Sequence, residues 1–383
     1  MTGSTTPPPI PFNRPAVTGR EVEYMQQAIA NGHLSGDGAF TKRCHGLLEA
    51  ITGAPKVLLT TSCTHALEMS MLLAGIVPGD EVICPDFTFV SSVNAFVLRG
   101  ARPVFVDVRP DTLNLDERLV EAAITSRTRA MIVVHYAGVG CDMTALMAIA
   151  ARHGLLVVED NAHGLFGTVD GRPLGSFGAM STLSFHETKN LTCGEGGALV
   201  VNDGALGERA EILREKGTNR TRFYRGQVDK YTWVDVGSSY LPSDLLAAYL
   251  CAQLEAHDLI QARRQAIWRT YDTALAGWAA RHGVRQPIVP AGCGHPAHIY
   301  YLLLPSLEAR TRFLAHLRAH MILATFHYQP LHLSDMGRQF GGRAGQCPVT
   351  EDVADRLVRL PVFYQLTDDG LQRVVDAATS FAV

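Results

Sequence analysis

The chain has 383 residues, of which 47% are hydrophobic and 19% are charged, and its formal net charge is −3. This length suffices for roughly two domains, and the composition is typical of a globular protein with a packed interior. The small net charge and the lack of any block of like charges exclude the basic surface that nucleic-acid binding requires.

The N-terminal stretch and the cysteines predict the cellular compartment of the protein. The opening stretch MTGSTTPPPIPF has neither the basic nor the apolar region of a secretory signal, and residues 1–9 are expected to form a loose tail. No uncharged apolar run reaches about 18 residues, so no membrane span is expected. The eight cysteines include no Cys-x-x-Cys pair, which argues against zinc and dithiol sites and predicts reduced thiols. We therefore expect a cytoplasmic protein.

Apolar runs typical of strands alternate with helix-period segments along the first 200 residues. Strands are predicted at 56–60, 81–84, 103–107, 130–135 and 155–159, with two further short runs at 180–185 and 198–201. Helices are predicted at 62–74, 89–98, 116–124 and 143–153. Continuous Val, Ile and Leu runs separated by helices predict an α/β fold with a mostly parallel sheet that is covered on both faces.

The pattern changes after about residue 240. Residues 243–278 read as one long helical stretch, followed by a strand at 299–304, a helix at 307–320, a strand at 322–326 and a terminal helix at 370–382. This order predicts a large domain at 10–242 and a smaller α+β domain at 243–383, with the long helix as the hinge between them.

Three predicted strands end in polar motifs, at the sheet edge where open α/β sheets bind ligands. The first motif is TTSCTHALEM, in which Ser62, Cys63 and Thr64 open a helix. The free N–H groups and the dipole of such a helix start favour a phosphate. The alternative is an ordinary cap by Ser62 or Thr64.

The second motif is VVEDNAHG, in which Asp160 directly follows a strand and His163 lies three residues further on. The carboxylate could pair with a cationic group of a ligand. The alternative is a turn-starting aspartate next to a histidine whose hydrogen bonds are satisfied.

The third motif is SFHETKNLTCGEGG, with Lys189 after a strand and three glycines that allow a sharp turn. Its apolar neighbours predict partial burial of Lys189, and a desolvated lysine has a depressed pKa and can form a Schiff base. The alternative is a solvated surface lysine.

Together the three motifs match one cofactor. Pyridoxal phosphate needs a lysine for its aldehyde, an anion site for its phosphate and a carboxylate for its pyridinium nitrogen. Phe87 and Phe89, in PDFTFVSS, are candidates for the aromatic contact with the ring. No metal is expected.

These motifs, together with HYAG and RLPVFYQLT in the same order, resemble the DegT/DnrJ/EryC1/StrS sugar aminotransferases, which are pyridoxal-phosphate enzymes of fold type I. The resemblance runs from about Ile10 to Phe381. It implies that Lys189 forms the Schiff base and moves the proton, and that Asp160 keeps the pyridine nitrogen protonated. It further implies cofactor contacts for five residues: His163 near the ring, Phe89 stacked on it, and Ser184, Thr64 and the Cys63 N–H at the phosphate.

The resemblance also implies a homodimer with shared active sites. In the family, an asparagine of a G-Y-N-Y-R segment reaches the phosphate of the neighbouring subunit, and Ser239 stands in its place here. A serine hydroxyl can donate one hydrogen bond to phosphate but has a shorter reach. Cys63 stands where the family often has glycine, and its backbone N–H can still serve.

The stretch at 215–241 resembles the branch of the family that acts on dTDP-4-dehydro-6-deoxyglucose. It implies transfer of an amino group from L-glutamate to the sugar C4, which gives a dTDP-4-amino-4,6-dideoxyhexose. The alternative for the candidate sugar and diphosphate contacts is that they are solvated loop residues. The candidates are Lys216, Asn219, Arg220, Tyr231 and the FHY stretch Phe326–Tyr328, which contains His327, with His332 nearby.

Other interpretations stay open at this point. A nucleotide-sugar 3-aminotransferase would keep the same lysine, whereas the 3-dehydratase branch has histidine at the position of Lys189. A catalytically silent sugar sensor of the same fold would not need both Asp160 and Lys189. The sequence leaves undecided the C4 stereochemistry of the product, the choice of dTDP over UDP, and the roles of His186 and Glu187.

Overall fold

The computed structural model describes residues 8–383, so residues 1–7 of the predicted tail lie outside the described residues. The helices are α1 Glu21–Ala30, α2 Ala39–Thr52, α3 Cys63–Leu73, α4 Val90–Val97, α5 Glu117–Ala123, α6 Met143–His153, α7 Gly207–Arg214, α8 Arg220–Tyr224, α9 Asp244–Glu255, α10 His257–His282, α11 Leu307–Ala319, α12 Asp335–Gln339, α13 Pro348–Arg356 and α14 Asp368–Thr379. The strands are β1 Lys56–Thr60, β2 Glu81–Pro85, β3 Arg102–Val106, β4 Thr128–Val134, β5 Leu156–Asp160, β6 Thr168–Val169, β7 Arg172–Pro173, β8 Met180–Ser184, β9 Gly197–Val201, β10 Cys293–Gly294, β11 Tyr300–Leu303 and β12 Leu357–Leu360.

A seven-stranded sheet in the order β1-β9-β8-β5-β4-β2-β3 forms the centre of the molecule. The strands from β8 to β3 pair in parallel, and β9 runs antiparallel to both of its neighbours. The predicted α/β fold with a mostly parallel, mixed sheet is therefore confirmed.

Helices cover both faces of this sheet. Alternate side chains of β4 belong to different clusters: Ala130 and Ile132 pack with α3 and α4, whereas Met131 and Val133 pack with α5 and α6. Helices α1, α2 and α9 cover β1, β8 and β9 on the second face. Because both faces are buried, the strands carry continuous apolar runs rather than an alternating pattern.

The predicted single helix at 243–278 is wrong, because the chain breaks at Ala256 into α9 and α10. The His257 ring bonds to the Leu254 carbonyl at 2.7 Å just at this break. The two helices also serve different layers: α9 packs on α1 and α2, and α10 buries Tyr271 and Trp278 in a separate C-terminal cluster. The proposed domain boundary at 242/243 remains a prediction.

The predicted strand at 322–326 is also wrong. Ile322 forms a single bridge to Ile10 and Thr325 forms one to Arg359, so the two ends of this apolar run pair with different segments and build no ladder. Instead β11 pairs with β12, a short strand that the sequence did not predict. Among residues 8–383, no helix combines the length and the apolar character that crossing a bilayer would require.

Candidate active site

The carboxyl ends of β1, β5 and β8 lie at one edge of the large sheet and border a cavity of about 650 Å³. The cavity therefore brings together the three motifs that the sequence singled out. Its wall includes Ser62, Cys63, Thr64, Phe89, Asp160, His163, Ser184 and Lys189 from the large sheet, and His298, Phe326, His327, Tyr328 and Arg359 from the C-terminal part.

The start of α3, where the sequence predicts a phosphate site, forms one end of this wall. The Ser62 hydroxyl accepts a hydrogen bond from the His65 N–H at 3.1 Å, so the predicted cap is present. The N–H groups of the first turn have no helical partner upstream, and Cys63 and Thr64 line the cavity. The cap and the phosphate site are thus compatible, because the cap uses the N–H group of only one residue.

Gly197 explains how a second strand reaches this helix start. It pairs with Thr60 of β1 and Ser184 of β8, and a Cβ atom at this position would lie 2.3 Å from the Cys63 nitrogen. Only glycine permits such a close approach. The result is that Ser184 ends its strand beside the first turn of α3, as a phosphate cradle requires.

Asp160 ends β5 almost fully buried. Its Oδ2 accepts a hydrogen bond from the Ser92 hydroxyl at 2.7 Å, and its Oδ1 accepts one from the Ala162 N–H at 3.2 Å. The hydrogen bond from the Ala162 N–H is the contact expected of a turn-starting aspartate, which was the alternative interpretation. The side chain nevertheless also lines the cavity. Two hydrogen bonds hold the carboxylate in a fixed orientation and leave it able to accept a proton donor from a ligand.

His163 is not the fully hydrogen-bonded histidine of the alternative interpretation. Its Nε2 lies 3.4 Å from the Tyr328 hydroxyl, and its buried Nδ1 has no hydrogen-bond partner within residues 8–383. Burial, with smaller contributions from Lys189 and Arg359, holds the pKa of His163 well below its usual range. A neutral imidazole with a free ring nitrogen therefore faces the cavity, as a contact for a ligand hydroxyl or ring would need.

Lys189 lines the same cavity and is partly buried. Burial lowers its pKa to about 8, although the nearby Cys63 and Asp160 act in the opposite direction. These observations favour the buried lysine over the surface-lysine alternative. An amine that loses its proton near neutral pH is suited to attack an aldehyde and to carry a proton.

The glycine-rich turn beyond Lys189 folds back on the strand before it. Phe185 donates its N–H to the Gly196 carbonyl at 2.8 Å, and Glu187 donates to the Gly194 carbonyl at 2.9 Å. Gly194 has a φ of +84°, which glycine adopts without strain. His186 lines the cavity and joins this turn through Thr188 at 3.0 Å, and it approaches Glu195 at 3.7 Å. Glu187 is exposed and is not among the residues that line the cavity.

The two candidate ring contacts have different positions. Phe89 lines the cavity and is 55% exposed, whereas Phe87 is buried against Tyr136 and Tyr328. Only Phe89 can meet a ligand directly. Phe87 instead supports the aromatic wall that holds Tyr328.

The C-terminal part of the wall contains His327, a candidate sugar contact from the sequence, and two residues that sequence reasoning missed, His298 and Arg359. His298 bonds to the Asn190 amide at 2.8 Å, and His327 bonds to the Tyr136 hydroxyl at 2.8 Å. Arg359 enters from β12. Arg359 lies in the late RLPVFYQLT motif, and Tyr136, the partner of His327, lies in HYAG, whereas no motif contains His298.

Of the remaining predicted contacts, His327 lines this cavity. The others lie in the segment at 215–241, outside the cavity wall, and are Lys216, Asn219, Arg220, Tyr231 and Ser239. Lys216 and Arg220 both pair with Glu215 at 3.0 Å, and the Arg220 guanidinium lies 5.8 Å from the centre of the Tyr231 ring. One chain by itself therefore does not bring this segment to its own cavity.

The residues present fit pyridoxal phosphate. The unpartnered His163 Nδ1, the glycine-lined cradle at α3, the buried carboxylate and the low-pKa lysine are the complementary groups that this cofactor requires. The fold and the site together define a pyridoxal-phosphate-dependent aminotransferase of fold type I.

Comparisons with known proteins agree with this class. The model of the DegT/DnrJ/EryC1/StrS aminotransferase family matches residues 15–379. The spore coat polysaccharide biosynthesis protein SpsC of Bacillus subtilis is 33% identical over 376 residues, which is 96% of each chain.

Solved structures are similar over almost the whole chain. The aminotransferase TlmJ from Streptoalloteichus hindustanus has a TM-score of 0.89 and 31% identity, with 97% of this chain and 98% of that chain covered. Spr1654 from Streptococcus pneumoniae, described as a sugar aminotransferase and solved in its PLP form, has a TM-score of 0.90 and 26% identity with the same coverage.

The chain belongs to the DegT/DnrJ/EryC1/StrS aminotransferase family. It is a sugar aminotransferase, and its cofactor is pyridoxal phosphate. Its reactants are accordingly an amino donor and a sugar acceptor.

Proposed function

We propose that the protein transfers the amino group of L-glutamate to C4 of dTDP-4-dehydro-6-deoxyglucose. The products would be 2-oxoglutarate and a dTDP-4-amino-4,6-dideoxyhexose. The observation that carries the transfer itself is the meeting of Asp160 and Lys189 in one cavity. The choice of sugar rests on the segment at 215–241, whose sequence resembles the branch that uses this acceptor.

Two residues would perform the chemistry. Bound pyridoxal phosphate supplies an electron sink for the carbanion at the reacting carbon and a carrier for the amino group. The Lys189 amine, neutral near its lowered pKa of about 8, takes the proton from the donor carbon and returns one to the sugar carbon. The Asp160 carboxylate, fixed by Ser92, holds a proton on the ring nitrogen and so favours the electron-accepting form.

The other wall residues would bind rather than react. Ser184, Thr64 and the Cys63 N–H would hold the phosphate, Phe89 would cover one ring face, and His163 would use its free Nδ1 near the ring hydroxyl. His327 would contact the sugar. Each role is consistent with a position on the cavity wall.

A homodimer would complete the site. The segment at 215–241 exposes Tyr224, Trp233 and Val234 to 69%, 78% and 50%, and such apolar exposure is typical of a surface that a partner covers. In a dimer, the neighbouring chain would supply Ser239 to the phosphate and Lys216, Asn219, Arg220 and Tyr231 to the nucleotide sugar. The eight cysteines are all free thiols, which supports action in the reducing cytoplasm.

The test is the purified holoenzyme with glutamate and dTDP-4-dehydro-6-deoxyglucose. We expect the visible band of the lysine-bound cofactor to disappear with glutamate alone and to return when the sugar is added. NMR of the isolated product should show the amine on C4, and its coupling constants give the stereochemistry at that carbon.

Three outcomes would replace this proposal. Amination of a 3-keto isomer but not of the 4-keto sugar, detected by mass spectrometry, would assign the protein as a 3-aminotransferase. Use of the UDP sugar alone would change the nucleotide. Failure of glutamate and of other amino acids to change the visible band, in a protein that binds the sugar, would favour a silent sensor.

A further inference from the structure

His298 lies on the cavity wall, in a turn that two side chains of α10 hold in place. The Arg264 guanidinium donates to the carbonyls of Ala297 at 3.2 Å and of His298 at 2.8 Å. The Trp268 indole N–H donates to the Ile299 carbonyl at 3.2 Å. Ala297 has a φ of +50°, which is a strained conformation for a residue other than glycine. Three hydrogen bonds thus keep a strained turn next to the cavity, an arrangement that is typical of functional sites.

Asn190, the residue after Lys189, determines which ring nitrogen of His298 carries the hydrogen. Its Nδ2 donates to the Pro296 carbonyl at 2.8 Å, and a carbonyl oxygen can only accept. Its Oδ1 is therefore the atom that lies 2.8 Å from His298 Nδ1, and this oxygen must accept a hydrogen bond from the ring. In a neutral imidazole whose Nδ1 carries the hydrogen, Nε2 is an acceptor.

The Nε2 atom of His298 is open to the cavity. It has no hydrogen-bond partner within residues 8–383, and it is not one of the unpartnered polar atoms that the protein encloses. Burial chiefly, with smaller contributions from His163 and Lys189, holds the pKa of His298 well below its usual range. By contrast, His163 and His327 bond to tyrosine hydroxyls, which can donate or accept and so leave the tautomer open. His298 thus offers the cavity a neutral group that can only accept.

Such an acceptor distinguishes the two reactants of the proposed function. Apart from its reacting amine, glutamate carries two carboxylates, which can only accept hydrogen bonds and would face the lone pair of Nε2. The nucleotide sugar instead carries ring hydroxyls, which can donate. The ring centres of His298 and His163 lie 4.5 Å apart. A hydroxyl bound to His298 would therefore lie close to the residue that the proposed function places beside the cofactor.

We propose that His298 is a specificity-determining residue, whose Nε2 accepts a hydrogen bond from the C2 or C3 hydroxyl of the sugar acceptor. This inference rests on the proposed function for the identity of the acceptor. The amino group of glutamate could donate to the same atom, and the experiment separates the two sources.

The test measures the binding of dTDP-4-dehydro-6-deoxyglucose and of its two analogues that lack the C2 or the C3 hydroxyl. Calorimetry on holoenzyme without an amino donor gives each dissociation constant, because the sugar then binds without being aminated. The proteins are the wild type, His298→Phe and His298→Gln, with His320→Phe at the exposed end of α11 as the matched control. Far-ultraviolet circular dichroism and the visible band verify folding and cofactor binding, and the band also follows the reaction with glutamate.

In the wild type we expect one analogue to bind about tenfold more weakly than the complete sugar, as loss of one hydrogen bond predicts. His298→Phe keeps a flat ring but removes both nitrogens. It should bind the complete sugar about tenfold more weakly, and that analogue no more weakly than the wild type does. This non-additivity identifies the hydroxyl and His298 as partners, and a merely structural role would not produce it.

His298→Gln should recover part of the lost affinity, because its amide oxygen can still accept a hydrogen bond. The apparent dissociation constant of glutamate should stay within about threefold of the wild-type value in both His298 variants, since the proposed contact is to the sugar. Every constant of His320→Phe should match that of the wild type.

The inference is overturned if both analogues bind the wild type as tightly as the complete sugar, or if removal of a hydroxyl weakens wild type and His298→Phe equally. A loss of glutamate affinity as large as that of the sugar would assign the contact to the amino group instead. If the non-additivity appears but glutamate does not change the visible band of the wild type, the inference stands and the proposed function fails. If the wild type aminates the sugar and the effects are additive, the proposed function stands and the inference fails. Absence of sugar binding to the wild type would overturn both.

Discussion

The cavity wall and the segment at 215–241 present their polar side chains in opposite ways. In the wall, Asp160 and Lys189 follow strands of the central sheet, are partly or fully buried, and converge on one volume. In the segment, Lys216 and Arg220 lie outside that volume and pair with Glu215 of their own chain. One chain thus brings Asp160 and Lys189 together by itself, whereas contacts of the segment with the phosphate or the nucleotide sugar would require a second chain.

The largest effect on turnover should come from a substitution in the cavity wall. Replacing Lys189 by alanine should reduce turnover by about 10⁴-fold or more, because covalent binding and proton transfer both depend on its amine. The visible band of the lysine-bound cofactor should vanish as well. The measurements are steady-state turnover and the absorbance spectrum, with Lys42→Ala on the exposed face of α2 as control. Full activity of the Lys189 variant would refute the assignment.

A smaller loss is expected for Asp160→Asn. The amide is close in size and can still meet Ser92, but it cannot hold a positive charge on the ring nitrogen. Removal of one such electrostatic contact should lower the turnover rate by about 10²- to 10³-fold. Pre-steady-state kinetics of the glutamate half-reaction measure this, with Asp258→Asn, whose side chain is 95% exposed, as control. A rate within threefold of the wild type would show that Asp160 does not act on the cofactor.

The sequence singled out Asp160 and Lys189 of the wall but not Arg359, for a physical reason. Asp160 and Lys189 each follow an apolar strand directly, and parallel strand ends meet at one edge of a sheet. Arg359 gives no such signal, because β12 has four residues, contains a charge and gains its partner β11 only through long-range pairing. The same limit explains the wrong strand at 322–326, whose apolar run is real but whose pairing partners lie in two different segments.

The break between α9 and α10 shows a limit of local sequence patterns. The periodicity is helical on both sides of Ala256, so the sequence could not place the break. The break follows from the packing of α9 and α10 into different layers. Likewise, the sequence identified the cap at Ser62 and the phosphate site as alternatives. In the structure the cap is present, and it does not exclude a phosphate, because the Ser62 hydroxyl uses only the His65 N–H.

The burial of Lys189 can be tested through pH. Only the neutral amine attacks the aldehyde of the cofactor, so in apoenzyme the rate of cofactor uptake should fall about tenfold per pH unit below its pKa of about 8 and level off above it. A solvated lysine would instead show a rate that still rises towards the ordinary value of 10.5. Stopped-flow absorbance measures the profile. In Asp160→Asn the midpoint should move to lower pH, since the Asp160 charge favours the protonated amine.

A substitution in the segment at 215–241 should have the smallest effect on the kinetics. It tests whether the segment serves the cavity of its own chain or that of a partner chain. Arg220→Gln should raise the KM of the nucleotide sugar by about tenfold, as loss of one charge-assisted contact predicts, and leave the glutamate half-reaction unchanged. Mixing this variant with Lys189→Ala makes the decisive comparison. If the segment serves the partner's cavity, the mixed dimer has one site with an intact lysine and an intact partner segment, and turnover with the wild-type KM should reappear. If each segment serves its own cavity, every site in the mixture lacks either the lysine or Arg220, so the raised KM should persist at all mixing ratios.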